Sequence, residues 1–302
     1  MEPALHRRTS VLLRASPSRS TYHKEKEMSL QTIVVHIDDS KHCEARLKMA
    51  THLALKYEAH LIGLAATGWL PAGFVRTAID PVVPLTPIDI EPARGRCTAA
   101  LATFEQQMRA MGVVSFETRL VELDPALALA MHGMCSDLIV VSQARGPNCD
   151  PSTRSDLPEW VMLNNAVPVL VVPARGEFAS VGARIAVAWN RSNEARRAIG
   201  SALPLLCNAD KVHLLIVDEG GAAAETDADM AVFLARHGVN AEEDIDSTGT
   251  DAGAALVRAS VECGADLLVM GAYGRSRLRE MVMGGASRTV LESMEVPVWM
   301  AH

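Results

Sequence analysis

Gly271, Gly274, Gly284 and Gly285 punctuate the stretch MGAYGRSRLREMVMGGASRTV, which runs from an apolar segment, DLLVM, to an amphipathic one opening near Ala286. Glycines at both ends of such a loop let backbone N–H groups turn toward a ligand with no Cβ in the way. A helix that starts beside them adds unpaired N–H donors and a partial positive charge. That combination suits phosphate, so the passage predicts a nucleotide site. Turns and a helix cap are the other use the same glycines could serve. Arg275 and Arg277 lie inside the loop, within reach of phosphate oxygens through charge-assisted bonds or simply solvated.

Other chemistries lack their residues. No G-x-S-x-G supplies a nucleophile elbow, no HExxH supplies zinc ligands, and no GxxxxGK[ST] supplies a Walker loop. Neither half opens its first strand onto G-x-G-x-x-G. The ten His show no metal-ligand spacing; His52 and His60 flank a helix end in an apolar neighbourhood. Asp38 and Asp39, beside Ser40 at a helix start, read as capping residues rather than a catalytic carboxylate pair. No general base or nucleophile emerges near the glycine loop, so no enzyme is expected.

The elements that must position the loop come in two sets. DLIVVSQAR resembles DLLVMGAYG, and VPVLVVP resembles VPVWMAH, both pairs offset by 129 positions (137 to 266, 167 to 296). Near the front of each half, IVVHIDDSKHCEAR resembles IAVAWNRSNEAR, and both end in Glu-Ala-Arg. Each unit is the size of a domain, which argues for a tandem duplication rather than a solenoid.

In the first half, strands are expected over residues 32–37, 60–66, 114–121, 137–142 and 167–172, with helices over 41–57, 93–111 and 125–135. Five prolines from Pro71 to Pro92 mark an irregular excursion that could serve as a partner surface or lid. The second half repeats the alternation with strands over 184–188, 212–217, 240–246, 266–271 and 297–300. Its helices fall over 192–206, 224–237, 251–263 and 286–294. Continuous apolar strands alternating with helices imply an α/β fold with a parallel sheet covered on both faces. Ligands of such sheets sit beyond the strands' carboxyl ends, where strand order reverses.

Composition agrees. The chain has 302 residues, 49% hydrophobic and 22% charged, enough for two cores. A net charge of −7 without a basic stripe weighs against nucleic acid as partner, and no apolar run is long enough to span a membrane. Six scattered cysteines without a CxxC pair read as reduced thiols of a cytoplasmic protein. Residues 1–28 stand apart, with four Arg against the single acid Glu2 before His23. They read as a disordered extension, with an organellar transit peptide as the alternative.

On these motifs the chain from residue 29 to 302 resembles tandem universal stress protein domains, divided here as 29–176 and 182–302. Such proteins are open parallel-sheet α/β sandwiches. Their nucleotide-binding branch carries G-x2-G-x9-G-[S/T] after the fourth strand. Gly271, Gly274 and Gly284 meet the three glycine positions; Gly285 stands where Ser or Thr is usual, and a hydroxyl reappears at Ser287. The resemblance implies ATP, with Mg2+, whose phosphates lie along this loop to Arg275, Gly284, Gly285, Ala286 and Ser287. It also implies adenine at the ends of the first two strands, beside Ala188, Asn190 and Val217. The family's usual first-strand Asp is Asn190 here, whose amide can still pair with an adenine edge.

In the first half the gap-free alignment sets Ser142 opposite Gly271, Arg145 opposite Gly274, Ser155 opposite Gly284 and Asp156 opposite Gly285. Pro158 stands opposite Ser287 and removes an N–H at the helix start. That loop is expected not to bind ATP. The resemblance further implies that the last strands pair within the chain as an intrachain pseudo-dimer, leaving a further homodimer and an unidentified protein partner open. Two functions follow: a regulatory, nucleotide-binding stress-response protein with ATP on the second domain, or a scaffold of the same fold that binds no nucleotide.

Overall fold

Runs such as TIVVH and VLVV are β-branched and apolar on both sides, so they form strands buried on both faces. The computed structural model describes residues 29–68, 90–144, 155–178, 180–217, 224–246, 251–274 and 285–302. The first half contains β1 (Thr32–His36), α1 (Cys43–Tyr57), β2 (His60–Ala66), α2 (Glu91–Ala110), β3 (Phe116–Val121), α3 (Pro125–Gly133), β4 (Leu138–Ser142), α4 (Leu157–Leu163) and β5 (Val169–Val172). The second contains β6 (Arg184–Trp189), α5 (Asn193–Leu206), β7 (Lys211–Val217), α6 (Ala224–Arg236), β8 (Ala241–Asp246), α7 (Ala252–Glu262), β9 (Leu267–Gly271), α8 (Ala286–Ser293) and β10 (Val298–Ala301). Helix α1 opens at Cys43 rather than at residue 41, and two further helix starts differ from expectation. Helix α2 opens at Glu91 because Pro92 is accommodated in the first turn, where no N–H is needed. Helix α4, absent from the expected alternation, starts at Leu157 for the same reason, with Pro158 in its first turn.

The strands among the described residues form one sheet of ten, in the order β3-β2-β1-β4-β5-β10-β9-β6-β7-β8. Ladders within each half are parallel, while β5 and β10 join the halves antiparallel. The registers are those of a repeat. Ile33 pairs with Leu138 in the first half, and Ile185 with Leu267 in the second. At the seam Leu170 pairs with Trp299, its own counterpart at the 129-residue offset, flanked by Val171–Val298 and Val169–Met300. A local two-fold axis therefore passes through the Leu170–Trp299 pair.

Helices α1, α2, α5 and α6 cover one face of the sheet, and α3, α4, α7 and α8 the other; each face has a core that runs unbroken across the seam. On the first face Tyr57 Oη donates to the Pro204 carbonyl at 3.1 Å, and Trp299 Nε1 donates to Ser201 Oγ at 2.9 Å. On the second, Gln143 Nε2 reaches the Leu291 carbonyl at 2.8 Å. Among the described residues no helix is long and apolar enough to cross a membrane.

Candidate functional site

In the second half the chain leaves β6 toward β7 on one side and returns to β9 on the other, so strand order reverses between β6 and β9. Ala188 and Trp189 pair with Leu215 and Ile216 of β7, and Val187 pairs with Val269 of β9. This register brings Asn190, Val217 and Gly271 to neighbouring strand ends. Ala188 is buried, and Asn190 is exposed just beyond the sheet. Asn190 Oδ1 accepts from the Ser192 N–H at 3.3 Å, closing an Asx turn in which Arg191 has a positive φ of 60°. Ser192 Oγ then caps α5 by accepting from the Ala195 N–H at 3.0 Å.

Gly271 meets the first turn of that helix. A Cβ there would lie 2.3 Å from the Ala195 nitrogen and 2.6 Å from the Glu194 carbonyl carbon, so no other residue fits without moving the backbone. The absence of a side chain at Gly271 therefore lets α5 approach β9. Beyond it, the Ala272 N–H is bound by the Ala301 carbonyl at 2.9 Å, and Tyr273 turns the chain with φ 52°. The Tyr273 N–H donates to Ser287 Oγ at 3.1 Å. That hydroxyl, buried at 4% exposure, ties the loop's start to its far end. A methyl on Gly274 would lie 3.2 Å from Glu194 Oε2.

The far end is the start of α8. Gly285 is its N-cap, extended at φ −72° and ψ 166°, and brings no side chain to cap the helix. Its neighbour α7 is capped by Asp251, whose Oδ1 accepts from the Gly253 N–H at 2.9 Å while Oδ2 accepts from Thr289 Oγ1 at 2.8 Å. The two first turns touch closely; a Cβ on Gly253 would lie 2.7 Å from the Ala286 carbonyl oxygen. Of the predicted site, the structure thus brings Ala188, Asn190, Gly271, Gly274, Gly285, Ala286 and Ser287 to one end of the sheet. Arg275 and Gly284 lie outside the described residues. Val217 ends its strand at this level, pairing with Asp246.

In the first half the corresponding place is filled by a buried polar cluster. Arg46, 1% exposed, donates from Nε to the His36 carbonyl at 2.6 Å, from Nη1 to Ser142 Oγ at 2.7 Å and from Nη2 to Asp38 Oδ1 at 2.8 Å. Asp38 Oδ1 also accepts from Ser40 Oγ at 2.7 Å and from the Ser40 N–H at 3.2 Å, the same Asx turn that Asn190 makes. Burial raises the Asp38 carboxyl, but the Arg46 guanidinium, then His36 and the Ser40 and Arg46 hydrogen bonds, overcome it and hold the group well below the usual carboxylate range. His36, with Nδ1 3.6 Å from Asp38 Oδ2, is pushed down to about 4 by burial; Arg46 adds to that effect, and Asp38 and Asp124 oppose it. Asp38 therefore turns the chain and neutralises Arg46 rather than capping α1 as expected, since the N-cap of that helix is His42 and makes no side-chain cap bond. Arg145 lies outside the described residues; Asp156 precedes α4 without a side-chain cap bond.

Sequence reasoning missed Arg46 and Glu194, although both belong to the Glu-Ala-Arg that the halves share. Among the described residues no group of three or more His, Cys, Asp or Glu is placed to hold a metal ion, His52 and His60 included.

Residues 183–302 match the model of the Universal stress protein family. The whole chain superposes on a universal stress protein from Archaeoglobus fulgidus DSM 4304 with a TM-score of 0.72 at 18% identity, covering 91% of this chain and 97% of that one. A functionally unknown protein from Pseudomonas aeruginosa PAO1 superposes with a TM-score of 0.59 at 19% identity, covering 92% and 94%. At these identities the structural likeness is one of fold. No curated protein matches the chain in sequence.

Proposed function

We propose that the chain, whose residues 183–302 match the Universal stress protein family and which shares the fold of a universal stress protein over 91% of its length, is a tandem two-domain member of that family and that its second half binds ATP, with Mg2+, in a regulatory rather than catalytic role. The observation that carries this reading is the start of α8 at Gly285, an N-cap with no side chain of its own, at the same sheet end as the Asn190 turn and Gly274. A helix start whose N–H groups have no side-chain acceptor offers them to an anion. Ala188, Asn190 and Val217 are the residues for adenine; Gly274, Arg275, Gly284, Gly285, Ala286 and Ser287 are those for the phosphates. The first half is a pseudo-subunit: its site is occupied by Arg46, and its last strand completes the sheet of the second. Free cysteines fit a reducing, cytoplasmic setting.

The test is calorimetric titration of the nucleotide-stripped protein with Mg-ATP, after mass spectrometry of whatever co-purifies. Micromolar affinity, roughly −8 kcal/mol, at a single site per chain is the expected result. A second reading, a scaffold that binds a protein partner and no nucleotide, is favoured by the missing hydroxyl at Gly285 and the neutral Asn190. Absence of binding and of co-purified nucleotide would select it.

A further inference from the structure

Glu194 is the one acidic residue of the first turn of α5. An acid there is stabilised by the helix dipole and ordinarily points to water. Its counterpart does so: Glu44, in the first turn of α1, has a 69% exposed side chain and pairs with Lys48 at 2.8 Å. Glu194 differs. Its side chain is 14% exposed, and its Oε1 pairs with Arg197 Nη1 at 3.7 Å. The other oxygen, Oε2, is buried and has no hydrogen-bond partner among the described residues. It is also the atom nearest to the space above Gly274.

A buried carboxylate oxygen with no donor is costly, and a phosphate brought beside it would add like-charge repulsion in a medium that screens poorly. A cation between the two removes both penalties, since a hard divalent ion takes carboxylate and phosphate oxygens together. Resting on the nucleotide reading of the second half, we propose that Glu194 is a specificity-determining residue. Its Oε2 is a ligand for a divalent cation carried by the phosphates, so that the site accepts a nucleoside polyphosphate as its metal complex and rejects the bare anion.

The experiment titrates nucleotide-stripped full-length protein and its Glu194→Gln variant with ATP, in Mg2+ and in EDTA at matched ionic strength. For the wild type, affinity is expected to fall roughly tenfold or more in EDTA. For Glu194→Gln the two conditions should converge, because the bare anion is no longer repelled. Equal wild-type affinity in both conditions would overturn the proposal while leaving nucleotide binding standing, and needs no variant. So would a variant that keeps the full Mg2+ dependence, since the metal would then be held by phosphate alone. A variant weakened equally in both conditions would mean that Oε2 accepts an N–H or O–H of the nucleotide, and this too overturns the cation role. If neither protein binds ATP in Mg2+, the nucleotide reading fails and takes the proposal with it.

Discussion

Arg46 and Arg196 stand at the same place in two copies of one helix, each after Glu-Ala, and point to different partners. Arg46 is buried on Asp38 and Ser142; Arg196 is exposed and lies over the Phe233 ring, 4.1 Å from its centroid. The acceptors decide the difference. Where the first half has a carboxylate and a hydroxyl, the second has the neutral Asn190 and the side-chain-free Gly271, so nothing draws the guanidinium inward. Arg46→Ala should cost about 3 kcal/mol, because it strands the half-buried Asp38 carboxylate; urea denaturation measures it. Acid should act on the same cluster. The folded pKa of His36, about 4, lies below its unfolded value, so its contribution is fully present above pH ~6.5 and lost as pH falls toward about 4. Asp38 is also depressed, so its share persists above the unfolded carboxylate value and is lost only below it. The unfolding free energy should therefore drop between pH 7 and pH 4.5, by on the order of 2–3 kcal/mol, and His36→Ala should flatten that slope. A one-residue alignment could reveal that the first loop is degraded, but not this cluster. Burial of Arg46 depends on Ser142, 96 positions away, and no local pattern carries that distance.

At the scale of elements, two glycines of one motif have different duties. Gly271→Ala should destabilise the fold by about 1–3 kcal/mol, since its methyl would collide with the backbone of α5; a lowered melting temperature checks it. Gly274 has a side-chain neighbour rather than a backbone one. Gly274→Val should leave far-UV circular dichroism nearly unchanged and abolish ATP binding in calorimetry. Retained affinity in that folded variant would rule out the proposed loop mechanism. The glycine spacing was visible in the sequence, but not which glycine serves packing. The inner strands were legible because buried parallel strands are continuous apolar runs, and helices such as α5 because a Ser cap precedes an amphipathic face. Helix α4 was not, since seven residues with a proline in the first turn offer too little periodicity to detect.

The whole molecule is one sheet whose middle is the seam between β5 and β10. Its repeat was legible as two matching segments at one offset, and the pairing of Leu170 with Trp299 follows that offset. Expressed alone, residues 182–302 would bare the β10 edge and a strip of both cores, and should self-associate through it; sedimentation velocity would register a dimer or larger species where the full chain keeps that edge covered. The pair on the axis has a further meaning. Two identical subunits would set Leu against Leu or Trp against Trp at that point, whereas here a small side chain faces a large one anchored to Ser201. Covalent linkage also fixes the stoichiometry: each half meets its partner at an effective concentration set by the short connection between them, not by abundance in the cell. Changing the expression level would alter how many such molecules exist, and leave untouched the fraction of halves that are paired.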